Sequence, residues 1–455
     1  MQYITTVDYF LVPFYLALFY FFVKRMARPL KEADLKKYLF MAFGLRMFGS
    51  IAYSMVVQYY YGYGDSFGYF TGSNFFTDQF SKDFANIRYL FAPIKEVEYW
   101  YNSIEGDINF TGYFSTASGN MVMKISAVIS YLSFNKYLII SLFFGFFSFA
   151  GQWKLFLIFD ELNKNRHRKL LAFATLYTPS IWFWGSGLSK DSICLGAMGF
   201  IIHILFKLFV KKKFSIANLL YLAILMYIVT VIKSYIIIIL LVSTGALVFD
   251  KFIKAAKNII LRIGLFFIAV ALFAVVLAAS DFTQTLTDLT EESVLQIKSF
   301  QNNYQASQEE VEASKGGFGI GEVNPSLGSV ALKSPLVIFT CLYRPFLWES
   351  KSIMILLTSL ESMLLLYFTL YLFKKTKLTG FFKAIFLNPY LLFCFVLSMI
   401  FALIIGFTTF NFGTMVRYKI IFLPFFYFML VNIYSTLGEV KNGKPIIITS
   451  KTDTA

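Results

Sequence analysis

Apolar stretches of roughly membrane-spanning length recur along the chain, separated by short clusters of Lys and Arg. This pattern constrains the fold more than any other feature. A segment crossing hydrocarbon must satisfy its backbone hydrogen bonds internally, and runs without period-2 alternation do so as helices. Of 455 residues, 58% are hydrophobic, 20% aromatic and only 15% charged, more apolar side chain than a water-soluble surface can hide. The sequence therefore predicts an all-α, polytopic integral membrane helical bundle. It has about eleven transmembrane helices and two long loops on the side opposite the lysine-rich turns.

The apolar run from Tyr9 to Val23 ends in Lys24 and Arg25 rather than small residues, and Met1 to Asp8 lacks a basic leading region. It reads as a retained first helix, not a cleaved signal. The following loop carries Lys24, Arg25, Arg28, Lys31, Lys36 and Lys37, which assigns it to the cytoplasm and the N-terminus to the outside. The other spans are expected at 38–60, 137–158, 169–185, 191–209, 216–232, 235–249, 259–280, 352–373, 389–409 and 418–436. Alternation then puts Lys164, Arg166, Arg168 and Lys169, the run Lys211 to Lys213, Lys251, Lys254 and Lys257, and Lys374, Lys375 and Lys377 inside. The outer stretch from Asp281 to Ser334 is acidic, with Asp281, Asp288, Glu291, Glu292, Glu309, Glu310, Glu312 and Glu322 against Lys298, Lys315 and Lys333. Residues 1–437 form one transmembrane domain with outer loops 61–136 and 281–351, and 438–455 reads as a short cytoplasmic tail. Cysteine labelling should find Lys31, Lys212, Lys254 and Lys375 inside and Asp107 and Glu310 outside. Asp107 and Lys212 on one side would break the threading.

The run from Ile216 to Val248 is interrupted by Lys233, which reads as two short helices meeting at Lys233-Ser234-Tyr235 on the outer side, or as one long tilted helix with an internal lysine. Met121, Ile125, Val128 and Leu132 recur at helical spacing beside Lys124, the pattern of an interfacial helix. The segment from Pro335 to Trp348 can lie in the interface likewise. The net charge of +15 is explained by the basic turns, so topology and not a nucleic acid accounts for it. Cys194, Cys341 and Cys394 show no CxxC spacing, and neither His167 nor His203 has a ligand-spaced partner, so the sequence supports no metal site. Walker A and GxGxxG patterns are absent from the sequence, which weighs against an ATP-driven pump and a dinucleotide enzyme.

Chemistry-bearing residues concentrate on the expected outer face. In Tyr59-Tyr60-Tyr61-Gly62-Tyr63-Gly64-Asp65-Ser66-Phe67-Gly68-Tyr69 a carboxylate emerges among aromatic rings. Rings stack on the C–H faces of a sugar while its hydroxyls need acceptors, although an aromatic belt followed by a turn explains the composition equally well. In Pro179-Ser180-Ile181-Trp182-Phe183-Trp184-Gly185-Ser186-Gly187-Leu188-Ser189-Lys190-Asp191, a tight hairpin, Lys190 can pair with a phosphate and Asp191 orient it; a local Lys–Asp pair is the alternative. In Cys341-Leu342-Tyr343-Arg344-Pro345-Phe346-Leu347-Trp348-Glu349, Arg344 can grip a phosphate with two donors, against simple snorkelling to headgroups. Asn411-Phe412-Gly413-Thr414-Met415-Val416-Arg417-Tyr418-Lys419 is a further basic hairpin that runs against the positive-inside trend. Arg46, His203 and Glu361 are single ionisable residues within apolar spans and should face other helices, either as structural pairs or along a transport path.

The Gly-Asp-Ser-x-x-Tyr setting of Asp65, the amphipathic helix in the same loop, the Ser-Lys-Asp hairpin and the Tyr-Arg-Pro-Phe-x-Trp-Glu segment together resemble bacterial membrane glycosyltransferases of the GT-C type and related polysaccharide-assembly proteins. The resemblance runs through most of the chain in order. It implies an enzyme of the bacterial cytoplasmic (inner) membrane that transfers or polymerises sugars from a polyprenyl-phosphate-linked donor onto a glycan or lipid acceptor, in cell-surface polysaccharide synthesis. It implies the acidic role for Asp65 and phosphate-binding roles for Lys190, Lys233, Arg344 and Arg417, and it names no cofactor. The family often carries two neighbouring acids, whereas the next acids here are Asp78 and Asp83. A transporter or lipid flippase, or a noncatalytic subunit of a polysaccharide-assembly complex, would also use many spans with internal charges. Internal inverted repeats, which would favour transport, are not visible in the sequence.

Overall fold

The computed structural model describes residues 3–105, 112–253, 327–409 and 411–437, and among these residues the regular structure is helical. They fall into two compact units, each counted over its described residues: Met1–Leu162 with Ala172–Ile237, and Asn163–Leu171 with Ile238–Lys451.

The first unit is built around α6 (Tyr137–Leu162), apolar on nearly every face and buried along its length, as a helix without a polar stripe must be. Four helices pack on it: α1 (Thr6–Ala27), α2 (Ala33–Met55), α5 (Ala117–Ser133) and α9 (Lys190–Leu205). At the start of α1, Thr5 donates from its backbone N and Oγ1 to Asp8 Oδ2 at 2.8 and 2.6 Å, and Asp8 Oδ1 accepts from Leu138 N at 3.1 Å. A buried carboxylate thus closes the first turn of one helix and fixes it to the first turn of another. The expected loop 61–136 is largely helical, with α3 (Asp65–Lys82), a 3₁₀ turn at Phe84–Leu90, α4 (Ile94–Glu105) and α5, and α3 lies along α5. Burial, opposed by the charge of Glu96, brings Lys124 of α5 down to about 8. Its ammonium donates to Ala92 O at 2.6 Å.

The second unit centres on α13 (Pro389–Thr408), packed by α11 (Leu327–Tyr343), α12 (Ile353–Leu387) and α15 (Leu423–Ser435). The short α14 (Phe412–Lys419) precedes α15 at a 65° bend, and Pro424 sits where α15 restarts, a position that needs no N–H donor.

Among the described residues seven helices are long and apolar enough to cross a membrane, or up to eight if the bent pair α14 and α15 is one span, compared with the eleven expected. Three differences account for the count. The expected span 169–185 is broken into α7 (Arg168–Ala172), a wide turn at Phe173–Tyr177 and α8 (Pro179–Trp184), because Pro179 cannot continue a helix and Thr178 leaves helical geometry with φ −58 and ψ 125. The expected pair 216–232 and 235–249 runs as one element, α10 (Ile216–Ile253), made of two helices joined across a kink at Lys233 (φ −150, ψ 81), where the sequence put their meeting point; by length and composition it counts as one candidate span. The expected span 259–280 and the tail 438–455 lie outside the described residues, as do 281–326 of the second expected loop. Its remainder contains α11, with Pro335 inside the helix.

Candidate functional site

The sequence Gly62-Tyr63-Gly64 ends one helix and starts the next. Gly62 (φ 71) closes the wide turn Val56–Tyr61 that follows α2 through its N–H to Val57 O at 2.9 Å, and Gly64 (φ 146) holds the extended reversal into α3, backbone states a side chain resists. Asp65 is thereby the first residue of α3, where backbone N–H groups favour a carboxylate. The turn is anchored by Ser66 Oγ to Tyr137 Oη at 2.8 Å and by Phe67 stacked on Tyr3.

Over this turn lies Tyr113. Its ring rests against Gly68, where any Cβ would meet it at 2.3 Å, and its hydroxyl donates to Asp65 Oδ1 at 2.5 Å. The same ring meets the buried Tyr69 edge to face at 5.2 Å, and Tyr69 carries the Lys190 ammonium at 5.8 Å from its centroid. Lys190 also donates to Ser118 Oγ at 2.7 Å. A half-buried carboxylate and a half-buried ammonium are thus connected through two tyrosine rings, on the turns where α3, α5 and α9 begin. Such a cluster offers one proton acceptor, one cation and aromatic walls, the elements a glycosyl phosphate needs.

The hairpin bearing Lys190 is held from behind. Arg46, buried in α2, donates through Nη1 to Ser148 Oγ at 3.2 Å, Ile181 O at 3.1 Å and Gly185 O at 2.8 Å, and through Nη2 to Gln152. A guanidinium whose donors hold the carbonyls ending α8 is a structural clamp, which removes one residue from the transport path weighed above. Ser189 caps α9 by accepting from Ser192 N at 3.2 Å. Asp191, one residue into that helix, takes the Lys233 ammonium at 2.6 Å, with side chains 0% and 8% exposed. The break in α10 at Lys233 and the first turn of α9 therefore meet in a buried ion pair, the pairing alternative read for Asp191, with Lys233 instead of Lys190 as the cation.

In the second unit Arg344 follows α11. Its Nε lies 2.9 and 3.1 Å from the two carboxylate oxygens of Glu349, and Nη2 donates to the same group. Burial pushes the Glu349 carboxyl up, but hydrogen bonds from Arg344 and from Phe346 N, with the Arg344 charge, outweigh it and hold the group below the usual range. The guanidinium also lies 5.2 Å from the Phe412 ring centroid. Lys419, 1% exposed, donates to Ser362 Oγ at 3.2 Å and to Arg344 O at 3.4 Å. Arg417, on the same helix, rests 5.6 Å from the Tyr418 centroid. An anion binding Arg344 must share or displace Glu349, and a fork that already holds a carboxylate has the geometry to hold a phosphate. Arg344→Lys should weaken use of a phosphate-bearing donor by about tenfold although charge is kept, because the planar two-donor grip is lost. Equal donor affinity in the two proteins would show that Arg344 serves the loop alone.

Of the residues expected from sequence, the first unit joins Asp65 to Lys190 by contact and separately pairs Asp191 with Lys233, while Arg344 and Arg417 belong to the second unit. Asp78 and Asp83 are exposed on the far half of α3 and beyond its end, Asp78 roughly 20 Å along the helix from Asp65, and Asp83 Oδ1 caps the next turn by accepting from Ala85 N. Tyr113, Ser118, Glu349 and Lys419 were not singled out for these roles by sequence reasoning. Tyr113 is 48 residues from its carboxylate partner, and only a fold brings them together. Among the described residues no three His, Cys, Asp or Glu side chains gather as metal ligands. The chain matches no family model, no curated protein and no solved structure.

Proposed function

We propose that this multi-pass membrane protein transfers or polymerises sugars, taking them from a polyprenyl-phosphate-linked donor at the end of the first unit where α3, α5 and α9 begin. The carrying observation is the Asp65–Tyr113–Tyr69–Lys190 chain of contacts, a carboxylate and a cation set on either side of two aromatic rings. Asp65 acts as general base: as the acceptor hydroxyl oxygen bonds to the anomeric carbon, its proton passes to the carboxylate and the bond from that carbon to the phosphate oxygen breaks. Tyr113 orients the carboxylate. Lys190 stabilises the charge left on the departing lipid phosphate. Arg344 and Arg417, in the second unit, are phosphate-binding candidates in their own right. A lipid-linked donor enters from the bilayer sideways, so the protein has only to position and neutralise. The positive-inside pattern assigns this face to the outside of the bacterial cytoplasmic membrane.

The test is the glycan profile of a strain lacking the chain. Loss or shortening of a surface glycan, with accumulation of its lipid-linked intermediate, is the expected result. Unchanged glycans with altered solute uptake would replace this reading with transport.

A further inference from the structure

We infer that the seam between α6 and α9 in the first unit binds the phosphate of an anionic lipid through Lys154, Lys207 and His203, at the end of these helices remote from Asp65. This site is independent of the proposed sugar transfer. The two helices are locked backbone to backbone: a Cβ on Gly151 would lie 2.0 Å from Gly196 O, and one on Gly199 would lie 2.1 Å from Gly151 O. Side chains about one turn further on must then emerge at one level, and these are Lys154 on α6 and His203 on α9. One more turn, in the wide-turn segment Phe206–Val210 that continues α9, brings Lys207, and the ion pair of Lys211 with Glu161 closes the row, which fixes the register of the two helices as parallel.

The electrostatics are one-sided. The charges that act on His203 are those of Lys154 and Lys207, and Lys207 acts in turn on Lys154. Among the described residues neither lysine has an ion-pair partner, and the exposed acid Glu161 of α6 is taken by Lys211. Two ammonium groups held together in a low-dielectric setting repel one another, and an anion placed between them removes that cost. Lys154 and Lys207 each sit seventeen residues beyond the first residue of their span, Tyr137 and Lys190, roughly 25 Å along the helix and close to the full hydrocarbon thickness. All three side chains are half-buried, and Phe209, two residues past Lys207, is 61% exposed. Apolar surface beside the cations selects an amphiphile: headgroup phosphate on the lysines, acyl chain along Phe209. The lysine-rich turn that follows, Lys211 to Lys213, makes this the cytoplasmic leaflet by the positive-inside rule.

The experiment is native mass spectrometry of the full chain in detergent, titrated with phosphatidylglycerol or phosphatidylcholine. Wild type should retain phosphatidylglycerol preferentially. Lys154→Gln with Lys207→Gln should weaken that binding by about tenfold or more, whereas Lys154→Arg with Lys207→Arg should keep it, and Lys36→Gln with Lys37→Gln, in another basic turn, should leave it unchanged. The arginine pair guards against misreading a misfolded glutamine variant. Equal phosphatidylglycerol binding by wild type and the Gln pair overturns the site. Displacement of the lipid by millimolar inorganic phosphate would assign the same cations to a soluble anion and overturn the lipid reading.

Discussion

Asp65→Asn should slow sugar transfer by about a hundredfold or more while the protein still inserts and binds its lipid donor. The replacement keeps the shape of the side chain and can still accept from Tyr113, whose hydroxyl lies 2.5 Å from Oδ1, so the turn at Gly64 stays closed. What disappears is the capacity to take a proton in the transition state. The effect belongs in turnover and not in donor affinity, and single-turnover transfer in reconstituted membranes separates the two. Asp78→Asn and Asp83→Asn are the controls, and both should transfer normally, since both acids are exposed on the far half of α3 and beyond it. Near-normal transfer by the Asp65 variant with collapse in a control would move the base. Tyr113→Phe should cause a smaller loss than Asp65→Asn, because the carboxylate remains and only its orientation is freed.

Asp191→Asn should lower stability by about 3 to 5 kcal/mol, the usual consequence of removing one partner from a buried ion pair and leaving the other charge behind. The pair qualifies: Lys233 Nζ to Asp191 Oδ1 is 2.6 Å and neither side chain has appreciable exposure. Lys233 also lies at the one residue of α10 with non-helical backbone, so the ammonium is held where the helix is already interrupted. Combining Asp191→Asn with Lys233→Met should recover most of the loss, since no unpaired charge then remains inside, and the double-mutant cycle isolates the pair. Thermal unfolding of the purified protein in one detergent, with the four proteins side by side, provides the measurement. An unchanged midpoint for Asp191→Asn would mean that Lys233 does not depend on this carboxylate.

The helical membrane architecture was legible in the chain because it rests on local quantities, the length of an apolar run and the sign of the charges that end it. Boundaries followed as well: Tyr137, Lys190 and Pro389 begin helices within a residue of where the sequence put their starts. The span count was less legible, for local reasons that an average over a window smooths away. Pro179 breaks an otherwise continuous apolar stretch, whereas Lys233 kinks α10 without dividing it into two candidate spans, and its ammonium is received there by Asp191. Charged residues were found easily and their partners were not. Asp65, Lys190 and Arg344 stand out against apolar surroundings, but Tyr113, Ser118, Glu349 and Lys419 acquire their roles from neighbours far along the chain or across a turn. Lys419 is the sharpest case. It belongs to a segment that reads as a basic surface hairpin, yet it is buried beneath Arg344 with its ammonium on that residue's carbonyl oxygen.

The proposed activity is tested most directly by placing the purified protein in lipid vesicles together with lipid-linked glycans extracted from a strain lacking the chain, and following the products by mass spectrometry. The account predicts that wild type releases the polyprenyl phosphate or diphosphate and yields a transferred or lengthened glycan. It also predicts that Asp65→Asn, inserted to the same level, yields at most about a hundredth of the product in the same time. Equal product from wild type and Asp65→Asn, or intact donor after incubation with folded wild type, would contradict it.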